Sequence, residues 1–322
     1  MDSLKLLGFV RPMLVLAVLL QPAALAQGEL SAPAVGWTFD AAHAAARRIG
    51  GLPGAAILQK PLAVGFPIRQ MAVSRRQDLL VAVSADAGGV SLIRTGPGGP
   101  ESIELDAGFV SRDAIAISAS GDAAAIYSAS SQRLRIVRDL AKTAGDTLDL
   151  SVGLCEDAML SVSDDGEAVA GLCRDGSLWL LNRRGEATKT GGPAVRAFVY
   201  HPRSREGMVL SREGDLYRVM PSAEMILERA GVAPVDASAA AWAATGDRDD
   251  LFALADGTVV RLNRVSGELS THQCRCQPSG LFPTNLNDIV RLNDVSQLPI
   301  QLLEVSTGRF WFVPPDAAGD PN

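Results

Sequence analysis

An all-β fold assembled from repeated units is what this 322-residue sequence predicts. Three observations predict it. Short apolar stretches separated by polar turns recur at a steady spacing along the chain. Gly and Asp, which tolerate the backbone of tight turns, stand at matching places between those stretches. Aromatic residues make up only 5% of a chain that is 47% hydrophobic, so the core must be built from Val, Leu, Ile and Ala.

The repeat occupies segments 71–94, 114–138, 158–182, 197–219, 239–263 and, more loosely, 280–304. Each has a short apolar strand, a polar turn, a second apolar strand, a Gly or Asp turn and an alternating third strand. The first apolar residues after the second turn are Val90, Leu134, Leu178, Leu216, Val259 and Ile300. Their gaps are 44, 44, 38, 43 and 41 residues, a mean of 42. A period of ~40–45 residues with several short strands per unit is the signature of a β-propeller.

Within a unit, the nearly all-apolar first and second strands fit a position between neighbouring blades. Third strands such as 177–182 and 258–263 are β-rich and partly alternating, as half-buried strands are. Fourth strands are placed at 102–105, 147–150, 187–190, 225–228, 268–272 and 309–313. They are more polar, as exposed edges that resist pairing must be. The period gives six four-stranded blades over 70–315, with seven the alternative count. A seventh blade would need a third strand near position 48, where only Arg47, Arg48 and Ile49 stand. Residues 27–69 are therefore read as a segment that pairs with or closes the propeller. Within it, 37–40 and 45–49 read as strands rather than a helix, because Gly36, Gly50 and Gly51 fence them. Residues 316–322 read as a disordered tail.

Three turns between first and second strands carry a resemblance. Ser163-Asp164-Asp165-Gly166, Ser120-Gly121-Asp122 and Thr245-Gly246-Asp247 resemble the Ser-Pro-Asp-Gly turn of the WD-repeat, YVTN and TolB-type propeller superfamily. The resemblance covers about residues 70–315. The units lack that family's Trp-Asp dipeptide and Gly-His pair, which points to a divergent bacterial member. It implies a ring of blades around a central channel and no fixed activity, because propellers host unrelated functions.

The first 26 residues read as an export signal. Lys5 and Arg11 precede an apolar run at 13–20, and Ala24-Leu25-Ala26 offers small residues for cleavage after Ala26. The run is shorter than the ~20 residues of a spanning helix and is followed by Pro22. Gln27 is not the Cys of a lipoprotein site. The expectation is an exported, periplasmic or secreted protein with no membrane span after cleavage. The net charge of −6 argues against a nucleic-acid partner, which needs concentrated Lys and Arg.

Motifs of chemistry are sparse. His43, His201 and His272 are the three histidines, and none has metalloprotease spacing. His201, before Pro202, reads as a solvated turn. The acidic pairs Asp164-Asp165 and Asp249-Asp250, and the basic pairs Arg75-Arg76 and Arg183-Arg184, also read as surface turns. Calcium would need six to eight oxygen ligands in one place. His272, Cys274 and Cys276 are the one cluster of metal-ligand types, sharing a face if the strand stays extended. Against this reading, exported thiols oxidise and no fourth ligand is visible.

The four cysteines are read as disulfides. A two-residue turn at Asp164-Asp165 would place Cys155 and Cys173 almost opposite each other across a hairpin. Opposed Cα atoms lie ~4.5–5.5 Å apart, within the range of a bridge. Cys274 and Cys276 are left to pair, which needs a local bend, because an extended strand holds them ~6.5–7 Å apart.

The functional expectation is a monomeric, non-enzymatic module that binds a protein or an envelope component, with no cofactor and no catalytic residues. The alternative is a six-bladed hydrolase or lactonase holding a metal in the central channel. That class needs acidic, amide or imidazole groups where the inner strands begin. Here those positions are Met71, Ala114, Ala158, Ala197, Ala239 and Gly280.

Overall fold

Strand pairing in the computed structural model follows the repeat. Residues 33–86, 88–96, 98–106, 114–142, 145–220, 226–233 and 241–314 are described. The expected signal at 1–26, with cleavage after Ala26, and the tail at 316–322 lie outside them. Among the described residues, seven antiparallel sheets follow one another along the chain, six of four strands and one of three. Each sheet is one blade, numbered here in chain order. The only helical element among these residues is a 3-10 turn at Val295–Gln297.

The propeller therefore has seven blades, the alternative count rather than the preferred six. The additional one is blade 1, made of Ala34–Asp40, Ala45–Gly50 and Ile57–Pro61. With three strands it is shorter than the other units, so its third strand falls near residue 57 and not near 48. A fixed 42-residue period steps past it. The expected strands at 37–40 and 45–49 are present in this blade, joined by a turn.

In blades 1 to 7 the inner strands are Ala34–Asp40, Ile68–Val73, Ala114–Ile117, Met159–Val162, Val195–Tyr200, Ala241–Thr245 and Phe282–Pro283. Second strands such as Leu79–Ser84, Ala123–Ser128 and Gly207–Ser211 are buried along their whole length. Blades pack on both their faces, which is why these strands are apolar throughout and not alternating. Outer strands such as Asp146–Ser151 and Ala187–Lys189 are exposed and polar.

Seven apolar clusters hold the ring, one at each interface between neighbouring blades. They are mostly aliphatic, as the low aromatic content requires. The seam between blades 7 and 1 joins the two ends of the described chain. There Val35, Ile49 and Leu58 of blade 1 pack on Ile300, Leu302 and Val313 of blade 7. Among the described residues, the strands of blade 1 all come from the N-terminal side and those of blade 7 from the C-terminal side, and no strand crosses the seam. A backbone bond crosses it at Asn285, whose N–H donates to the Val35 carbonyl at 3.0 Å.

Gln77 locks three blades at this seam. Its Oε1 accepts from the Trp37 backbone N–H of blade 1 at 2.7 Å, and its Nε2 donates to the Pro283 carbonyl of blade 7 at 2.9 Å. Gly36 makes room for it, since an added Cβ would stand 2.6 Å from the Gln77 Oε1.

Blade 4 is fastened differently. Cys155 and Cys173 form a disulfide with Cα atoms 5.9 Å apart. The expected partners are joined, but the register behind them differs. The Ser163 N–H bonds the Ala168 carbonyl, so four residues and not two make the turn. Met159 then pairs with Leu172, which puts Ala158 opposite Cys173. Cys155 reaches Cys173 because the chain turns back before the strand, with the Ala158 N–H donating to the Cys155 carbonyl at 3.4 Å.

Candidate functional site

The inner strands surround an axial channel with two different ends. At the turn end, where each inner strand turns into the second, polar side chains bridge between blades. Arg75 of blade 2 reaches across to blades 6 and 7, donating to Asp247 at 2.8 Å and to Asn287 at 3.2 Å. Its side chain is only 16% exposed. Asp164 of blade 4 accepts from the backbone N–H groups of Ser120, at 2.7 Å in blade 3, and Arg203, at 2.5 Å in blade 5. Arg205 pairs with Asp165 at 2.6 Å.

The charges at this end perturb one another. The Arg75 hydrogen bond holds the Asp247 carboxyl below the usual range, reinforced by the charges of Arg75, Arg203 and Arg264 and opposed by partial burial. Burial pushes Asp165 up, but hydrogen bonds from the Glu167 N–H, the Ser163 hydroxyl and Arg205 outweigh it, and its pKa falls. The pairs Arg75-Arg76 and Asp164-Asp165 are thus inter-blade links more than solvated turns. Their partners are tens of residues away, which no local reading of a turn can supply.

Two further turn readings change. His201 is buried, and its Nε2 lies 2.9 Å from Asp250 Oδ2 of blade 6. Asp249 and Asp250 begin the strand Asp249–Leu254 and do not form a turn. Asp250 is fully buried, and its Oδ1 accepts from Thr245 at 3.0 Å and Arg264 at 2.7 Å. A buried carboxylate with this many donors is satisfied, so the cluster joins blades 5 and 6 structurally.

The other end, where the inner strands begin, is apolar. A cavity of about 310 Å³ is lined there by Met159, Leu160, Phe198, Trp242, Leu281 and Phe282, with small residues and two serines between them. It adjoins a second cavity of about 180 Å³ nearer the turn end, which shares Leu160, Ser161, Phe198, Ala243 and Leu281. Arg75 lines only the deeper one.

Phe198 and Phe282 are both held in place. Phe198 packs edge-on to Tyr200, with ring centroids 4.7 Å apart, and lies against Gly207, where a Cβ would stand 2.7 Å from its ring. Phe282 lies against Gly280, where a Cβ would stand 2.4 Å from the ring. Its other neighbour is the Arg291 guanidinium, 3.9 Å from the ring centroid. Burial pushes the Arg291 pKa down to about 9, partly offset by Asp294.

The sequence cluster at the end of blade 6 lies elsewhere. His272 is in the outer strand Leu269–Gln273 and packs against Gly308 of blade 7. Burial and the charge of Arg261 lower its pKa, against a hydrogen bond with the Val305 backbone. The strand ends at Gln273, and the chain bends around the Asp256-Gly257 turn, with the Cys274 N–H donating to the Gly257 carbonyl at 2.9 Å. That bend brings the Cα atoms of Cys274 and Cys276 to 5.1 Å, and the two sulfurs are bonded to each other. They are then not free to act as thiolate ligands beside His272. Among the described residues, no group of three His, Cys, Asp or Glu side chains gathers as a metal site.

Seven blades around an axial channel, polar at one end and apolar at the other, define a β-propeller. No family model matches the chain, and no curated protein matches it. Among solved structures, it is similar to a functionally unknown protein from Desulfotomaculum acetoxidans DSM 771, with a TM-score of 0.60 at 12% identity, over 88% of this chain and 99% of that one. It is also similar to the Kuenenia stuttgartiensis hydrazine synthase, with a TM-score of 0.56 at 11% identity, over 91% of this chain and 99% of that one. At such identities the likeness is one of fold.

Proposed function

We propose that this chain is an exported, non-enzymatic β-propeller of the WD-repeat, YVTN and TolB-type superfamily, a monomer that binds a protein or envelope component. The observation that carries this reading is the channel wall. Val73, Ile117, Leu160, Val199, Ala243 and Leu281 line it together with Arg75, Ser118, Ser161, Tyr200 and Thr245, and the described lining holds no carboxylate or imidazole where a propeller hydrolase needs metal ligands or a general base. The apolar segment at 13–20, the small residues before Gln27 and the Cys155–Cys173 bridge all fit an oxidising compartment outside the cytosol.

The test uses the full-length chain, tagged at its C-terminus and expressed in the exporting cell. An N-terminus at Gln27 in the envelope or secreted fraction, together with a site-specific cross-link to one envelope component, is the expected result. The purified protein should also leave esters, lactones and glycosides intact. Hydrolysis of any of these that is lost on chelation would overturn the reading in favour of a metal-dependent hydrolase. An uncleaved protein confined to the cytosol would overturn export.

A further inference from the structure

We propose that the apolar half of the axial channel is a binding site for a small, uncharged molecule with an aromatic or alicyclic body. This inference is independent of the macromolecular partner proposed above, because it concerns the inside of the ring and not its surface.

Three observations carry it. The first is size. About 310 Å³ lies at the lower end of the ~300–1,000 Å³ range of small-molecule pockets, and the adjoining space of about 180 Å³ extends it towards the turn end. The second is chemistry. The described residues lining the larger cavity include no charged side chain. An ion held in it would lose hydration without an opposite charge on its wall, which disfavours charged ligands; of the two cavities, Arg75 lines only the adjoining one.

The third observation is rigidity. Phe282 is confined between Gly280 and the Arg291 guanidinium, and Phe198 between Gly207 and Tyr200. Rings already held in position lose little freedom when a flat ligand packs on them, and such preorganisation favours binding. With Trp242, three blades each present an aromatic ring to one cavity, in a chain with only 5% aromatic residues.

The test titrates the mature protein with N-phenyl-1-naphthylamine, an uncharged aromatic fluorophore. The expected result is saturable, one-to-one enhancement of its emission, with energy transfer from tryptophan that falls in W242F. Ser161 of blade 4 and Ala243 of blade 6 line both cavities. Filling the space with A243F or S161F should weaken binding by about ten-fold or more while the thermal midpoint stays near wild type. Either folded variant suffices. The sulfonated analogue 1-anilinonaphthalene-8-sulfonate should bind wild type about ten-fold more weakly than the neutral probe. Absence of saturable binding to wild type would overturn the proposal. So would undiminished binding in a folded, plugged variant, or equal affinity for the sulfonated probe.

Discussion

Blade 4 and the seam between blades 7 and 1 keep the ring together by different physics. In blade 4, the Cys155–Cys173 bond ties two points 18 residues apart in sequence. A crosslink of that kind acts largely on the unfolded chain, by restricting it. At the seam no strand is exchanged among the described residues, and closure there rests on the fit of side chains and on blade-crossing bonds such as those of Gln77. Its contribution exists only in the folded state. The difference identifies the seam as the place where a small loss of packing has the largest structural consequence, because blades 7 and 1, unlike the other neighbouring pairs, are not consecutive in the chain.

Truncating the seam should therefore have the largest effect. Leu302 is fully buried there. Leu302→Ala should cost about 2–5 kcal/mol, read from the urea midpoint, because a cavity is left between two blades that are not consecutive in the chain. A loss below about 1 kcal/mol would mean that the seam relaxes freely, and the contrast with blade 4 would fail.

Removing the crosslink comes second. The double variant Cys155→Ser, Cys173→Ser should lose about 3 kcal/mol in the chain-entropy account. Reductant should lower the wild-type midpoint similarly and leave the variant almost unmoved. Combining it with Leu302→Ala should give additive losses, since the two sites share no contacts. Peptide mapping under non-reducing conditions is the direct check, and free thiol at Cys155 and Cys173 in the isolated protein would contradict the bridge.

The smallest effect belongs to the turn end. Asp247 has its pKa lowered first by the Arg75 hydrogen bond. A carboxyl depressed in the folded state adds stability above its unfolded value, near 3.8, and that stability is lost as pH falls through the folded value. The Asp247 side chain is half exposed, so the contribution is small. Thermal midpoints measured from pH 6 to pH 3 should fall slightly less steeply for Arg75→Ala than for wild type. Parallel curves would show that the Arg75 bridge does not couple to acid stability.

The sequence discloses what is local and periodic. Strands begin at the expected Val90, Leu178 and Ile300, and the outer strand Arg309–Val313 falls at its expected place. Alternation and turn residues are properties of a few neighbouring positions, so they survive without a structure. Blade 1 was hidden because a shorter unit breaks the period. The Cys155–Cys173 pairing was legible from compartment and proximity, whereas its register depended on a turn two residues longer than expected. The channel was legible only as apolar strand starts. His201 with Asp250, Arg75 with Asp247, and Phe282 against Arg291 depend on which blade faces which. No signal within a single repeat encodes that.

Blade 1 also has a meaning beyond closure. Six rims of the ring end in a fourth strand, and one, among the described residues, ends in the third, Ile57–Pro61. A sheet one strand narrower sits about 4.8 Å closer to the axis at its edge. The exposed Lys60 and Pro61 stand at the end of that edge, residue types that discourage another strand from adding. Among the described residues, the rim is thus narrower at blade 1 than at the other six. Seven equal blades would offer seven indistinguishable orientations to any body touching the circumference, whereas one narrower described blade distinguishes them.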